Sequence, residues 1–400
     1  MANVELAWQN PPQSGLALWN LGFRPFFLGA CLFAVLAMAW WTALWTFHWQ
    51  LPIQGVAPFL LHGREMIYGF AMAVVAGFLL TAVKNWTGVQ TLHHLPLALV
   101  LTAWACARLL WFFGTRFALP ATLADLAFLM GLCAAFAYPI FKVRQWRQLP
   151  ILALLLLLTA GPLPFYLALS GRAPGADLAV VHGSIFLVLA LVLIMGRRVV
   201  PFFIERGVGY PVQLVNPGWL DRIFMPLYFV LYATKAGRLH EDFASIVSAL
   251  LGLLLLLRLK GWHTPGIWQK PLLWSLYLAF LHIAAGFLLA AATPYFHWLP
   301  SLDLHTFSFG GIGLVCLSMM ARVSLGHTGR SIHEPAKLMV LALRLLTTGV
   351  ALRVLAPMLL PAFYRWWILS AQLCWMLAFL LAFLVLLPLL TRPRVDGAYG

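Results

Sequence analysis

"HGREMIYGFAMAVVAGFLLTAVKNW", residues 62–86, opens on His62, Arg64 and Glu65 and then runs for about twenty residues almost without polarity. As a helix, a run of that length crosses the roughly 30 Å hydrocarbon core of a bilayer. Similar runs recur at 22–47, 58–83, 94–113, 120–141, 150–169, 178–203, 219–234, 243–260, 267–291, 303–325, 334–357 and 361–391, which makes twelve. The seventh is the shortest. The 400-residue chain is 63% hydrophobic and 9% charged, where a soluble domain carries roughly 25% charge. Lipid offers the backbone no hydrogen bonds, so these runs must be helices. Barrel strands would alternate in short segments instead. The predicted fold is all-α, a polytopic transmembrane bundle of twelve helices. The linkers are short, so residues 1–400 are read as a single transmembrane domain.

Lysine and arginine placement sets the expected orientation. With the N-terminus inside, sixteen of them fall on the cytoplasmic side, including the cluster Lys142, Arg144 and Arg147, and eight on the other. That bias predicts both termini in the cytoplasm. The net charge of +15 then reflects topology and attraction to anionic lipid, and the lipid bilayer is the expected partner. No basic soluble module is present for nucleic acid. Residues 1–21 lack a basic signal-peptide start, so the first helix is expected to remain uncleaved. The five cysteines lie singly within predicted helices, which predicts neither a zinc site nor a disulfide framework. Trp19, Trp49, Trp86, Trp262 and Trp298 mark span ends, as interfacial tryptophans do.

Four of the twelve histidines fall within spans: His62, His182, His282 and His305. The first, second and fourth open spans 2, 6 and 10 at the expected outer surface, and His282 lies about two turns below the outer end of span 9. Ionisable groups inside a membrane point to function, and neutral imidazole is a common ligand of haem iron and copper. Any one of these rings could equally bond a backbone carbonyl and do nothing else. Four at one depth predict that at least two hold a metal or a haem. The intervals from His62 to His182 and from His182 to His305 are nearly equal, which hints at three four-helix units.

Glycines lie below two of the histidines. Gly69 follows His62, and Gly310, Gly311 and Gly313 follow His305, with Gly69 and Gly313 on the face of their histidine. Small residues admit either a neighbouring helix or a flat ring. Arg108 and Asp125 lie near the outer ends of spans 3 and 4 and are expected to pair. Arg344 sits mid-span and needs a partner or water.

The segments "GFRPFF" (22–27), "EMIYGFAMAVVAGFLLTAVKNWTG" (65–88), "GRRVVPFF" (196–203) and "GGIGLVCLSMMARVSLGHTGR" (310–330) resemble the NnrS family along nearly the whole chain. That resemblance implies a bacterial inner-membrane protein of nitric oxide handling or nitrosative-stress resistance, containing haem b and copper. Nitric oxide or a related small ligand, and an electron donor, are the implied partners. Where the family commonly has His-x-His-Glu-Met, this chain has Arg64 at the second histidine. The twelve spans are also similar in architecture to the catalytic subunit of haem-copper oxidases and nitric oxide reductases. Carried over by position, His62 and His305 would hold a b-type haem in the outer half of the membrane and His182 would face a second metal site. The paired histidines that complete the copper site there are missing from span 7, and His282 is a candidate replacement. On this reading Arg64 meets haem propionates through forked hydrogen bonds, with interfacial snorkelling as its other reading. Glu65 either orients His62 or complements the helix N-terminus. Arg322, His327 and Arg330 frame the inner end of span 10.

The rival class is a twelve-span secondary transporter without a metal centre, which should show broken helices and buried acids. A receptor or assembly factor is a third.

Overall fold

The computed structural model describes residues 15–49, 56–237, 240–296 and 301–400. Trp298, expected at a span end, lies outside the described residues. Among the described residues the fold is all helical. Its twelve helices are α1 (Phe23–Trp45), α2 (Pro58–Thr87), α3 (His94–Phe112), α4 (Ala118–Lys142), α5 (Trp146–Leu169) and α6 (Ala176–Gly207), followed by α7 (Gly218–Ala236), α8 (Glu241–Trp262), α9 (Pro271–Ala292), α10 (Leu302–His327), α11 (Lys337–Leu359) and α12 (Pro361–Thr391). Eleven are long and apolar enough to cross a membrane. The exception is α7, which is long enough but carries Asp221, Arg222 and Lys235 within its 19 residues. Leu, Phe and Val side chains remain exposed along most spans, as a lipid solvent requires.

The chain divides into two compact units where three sets of four were expected. The first comprises residues 1–187, 320–339 and 379–400, and the second residues 188–319 and 340–378.

In the first unit α2 is the most enclosed span, with 78% of its apolar window buried, whereas its neighbour α3 reaches 28%. Gly22 and Gly77 let α1 lie close on α2, because a Cβ on either would meet Leu80 or Phe27 within 2.8 Å. Gly88, at φ 71°, ends α2 in the left-handed conformation and donates its N–H to the Lys84 carbonyl. A strap from Arg392 to Tyr399 closes the end of this unit that holds Arg24. Arg24 is fully buried and donates to the carbonyls of Leu390 and Arg392, each at 2.8 Å. Arg394 donates to the His327 carbonyl, Val395 N–H to that of Thr328, and the Tyr399 hydroxyl to that of Asn20.

In the second unit α8 and α9 pack as an antiparallel pair, and Asp221 ties α7 to α6 and α8 by accepting from Arg197 and Arg258. The first 18 residues of α10 belong to this unit, and the apolar window of α10 is also 78% buried.

Candidate functional site

Each of the two enclosed spans leaves α-helical geometry shortly after its histidine. In α2, residues Glu65–Ala71 form a π-helix, three residues beyond His62. In α10, Thr306–Gly313 do so immediately after His305. A π-helical stretch widens the backbone and is frequent at functional sites. In α2 the widened turn offers its Gly69 carbonyl to Trp104 Nε1 of α3, at 2.9 Å.

Beside His62 the first unit buries a closed ring of four charges. Arg64 Nη1 pairs with Glu65 Oε1 at 2.5 Å, and Arg64 Nη2 pairs with Asp125 Oδ2. Arg108 Nη1 lies 3.0 Å from Glu65 Oε2, and its Nη2 pairs with Asp125 Oδ1. Each carboxylate thus bridges both guanidiniums and the net charge is zero. The Arg64 guanidinium carbon lies 4.2 Å from the centre of the Trp111 ring and 5.2 Å from that of Phe165. Residues in this ring are at most 6% exposed. The expected Arg108–Asp125 pair is present. Arg64 does not snorkel to the surface: it is fully buried, and two carboxylates of the protein hold it. Glu65 is likewise engaged by Arg64 and Arg108. Arg344 is exposed on α11.

The His62 ring is half-buried and stacks on Trp41, centroids 4.4 Å apart and planes 13° from parallel. His182, in the same unit, is exposed. The helices carrying them approach at Gly63, where a Cβ would meet Val181 at 2.7 Å. Gly69 does not open a slot for a flat ligand, since the edge of Phe33 already occupies the space a Cβ would take.

In the second unit His305 is fixed by its own helix. Its Nδ1 lies 2.8 Å from the Ser301 carbonyl, which accepts only from a protonated nitrogen. The lone pair is therefore on Nε2. Arg353 of α11 brings Nη2 to 3.1 Å from Nδ1 and 3.4 Å from Nε2. His282 is half-buried and its Cβ covers Gly310, five residues beyond His305. Gly313 is covered by Trp375 at 2.8 Å, so these glycines also receive side chains of the protein. Phe307 and Phe309 extend the aromatic wall through edge contacts with Phe287 and Trp375.

Among the described residues no three His, Cys, Asp or Glu side chains gather closely enough to hold a metal ion. Arg353 stands in no motif of the sequence, and nothing in the spacing joins Arg64 and Glu65 to Arg108 and Asp125. The motif residues Arg24 and His327 meet the strap at the far end of the first unit. Residues 17–394 match the family model described as NnrS protein. No curated protein matches the chain.

Proposed function

As a member of the NnrS family the chain is a membrane protein linked to the nitric oxide response, and from that premise we propose that it binds haem and uses it to take up nitric oxide or protect against its products. The setting is a bacterial inner membrane, with both termini in the cytoplasm as the arginine and lysine bias implies. The observation that carries the reading is the state of His305. Its Nδ1–H is committed to the Ser301 carbonyl, the arrangement that orients metal-binding histidines and leaves Nε2 to coordinate. A haem asks the protein for only one or two ligands, so a single oriented histidine such as His305 is a sufficient donor. Copper does not fit the described residues in the same way, and no step is assigned to it.

When bound, the haem would be held by His305 and would supply an iron able to take a small diatomic ligand. The protein's own residues hold the ring of His305 in one tautomer and wall α10 with Phe307, Phe309 and Trp375, keeping water from the apolar side. His62, stacked on Trp41, is the candidate ligand of the first unit, and His182 and His282 are the remaining candidates. Turnover would require an electron donor. The transporter reading asks for broken helices and buried acids, and α2 and α10 each depart from α-helical geometry over one π-helical stretch. Glu65 and Asp125 are buried, yet each is bridged by two guanidiniums, which supports fixed structural charge instead.

The experiment is to purify the protein in detergent, record reduced-minus-oxidised spectra with and without nitric oxide, and measure iron per chain. A Soret band that moves with nitric oxide and is lost in His305→Ala is expected. His62→Ala decides the ligand of the first unit. A preparation without haem or iron would overturn the reading.

A further inference from the structure

Four other buried guanidiniums of this protein are met by oxygen. Arg64 and Arg108 share Glu65 and Asp125, Arg258 has Asp221, and Arg24 has two backbone carbonyls. Arg353 is set differently. It is 9% exposed, and among the described residues it makes no ion pair. Asp303, two residues before His305, does not reach it. Its contacts are the His305 ring and a hydrogen bond with Tyr364. Neither group is a carboxylate. Its Nη1 is buried with no hydrogen-bond partner. Since His305 Nδ1 already carries a proton for Ser301, the 3.1 Å approach to that atom is no hydrogen bond, and only the longer contact to Nε2 remains. A buried cation without a counter-charge is costly, and a planar guanidinium with free N–H groups matches a carboxylate.

We infer that Arg353 is the receptor for a carboxylate on the ligand that His305 binds, which for a haem is a propionate. This rests on the haem reading above. It moves the propionate contact from Arg64, which is saturated, to a guanidinium that has the charge to give. It also accounts for the contact with Nε2. The guanidinium rests on the atom a metal needs, and a carboxylate drawn to Arg353 relieves that competition. Metal and acid are then recognised together, and a porphyrin lacking the acid is handicapped twice.

The test is equilibrium binding to full-length apo-protein in detergent, using haemin and haemin dimethyl ester, with wild type, Arg353→Met and Arg353→Lys. Soret absorbance and tryptophan quenching report binding, and no turnover is needed. Wild type is expected to prefer the diacid by roughly ten- to hundredfold, in line with a buried charge pair. Arg353→Met should bind diacid and diester alike, more weakly than wild type binds the diacid and more tightly than wild type binds the diester, because the competing guanidinium is gone. Retained binding of both porphyrins also shows the fold is intact. Arg353→Lys should recover part of the preference, and it carries the comparison if the methionine variant binds neither porphyrin. Wild type without preference, or a preference that survives both substitutions, would overturn the inference while leaving haem binding standing. Failure of wild type to bind either porphyrin would remove the haem reading, and this inference with it.

Discussion

Asp125 accepts from two guanidiniums at once, and so does Glu65, which makes these carboxylates the most consequential single atoms of the first unit. Removing one charge leaves a buried guanidinium partly uncompensated. Asp125→Asn is therefore expected to lower stability by about 3–5 kcal/mol, read as the midpoint of thermal or SDS unfolding in detergent. Arg197→Gln breaks a pair whose side chains are 30% and 25% exposed, and is expected to cost at most about 1 kcal/mol in the same assay. Equal losses would contradict the assignment of the ring as a buried lock. Arg108 and Asp125 were legible in the sequence because they sit near facing ends of consecutive helices. Arg64 and Glu65 were not. Two charges at the mouth of an apolar run look like a surface feature, although Glu65 lies seven residues inside α2, about 10 Å along its axis.

At the scale of elements, hydropathy located every span within a few residues, because length and apolarity are what the bilayer selects. It was silent on the π-helical stretches of α2 and α10. A shift from i→i−4 to i→i−5 hydrogen bonding changes no residue type, so it leaves no mark on hydropathy. Glycines within these stretches proved to be contact points, with Phe33 over Gly69 and Trp375 over Gly313. Gly69→Val is expected to destabilise by about 1–3 kcal/mol through overpacking. Phe33→Ala in the same chain should return part of that loss, as measured by the unfolding midpoint. A double variant no better than Gly69→Val would place the strain elsewhere.

At the scale of the whole chain, the sequence carried the helix count but not the strap formed by residues 392–399. Its contacts pass through backbone carbonyls and leave no mark in composition. The hydrogen bond from Arg394 holds the Asp396 carboxyl at about 2, below its ordinary 3.8. A depressed carboxyl stabilises the folded form fully above its ordinary value, and that contribution is lost as pH falls through the folded one. Hydrogen exchange at the Val395 amide should thus stay slow from neutral pH to about 4 and quicken toward 2, once corrected for the intrinsic rate. Asp396→Asn should remove that dependence. The four-charge ring has a further consequence, for synthesis. Arg64 and Glu65 leave the ribosome before Arg108 and Asp125 exist, with only each other as partners, and a charged residue at the centre of a span costs roughly 2.5–3.5 kcal/mol on insertion scales. The second helix of the nascent chain thus carries a half-finished set of charges into lipid. The third and fourth helices supply the rest, so those three are expected to settle in the bilayer as one cohort.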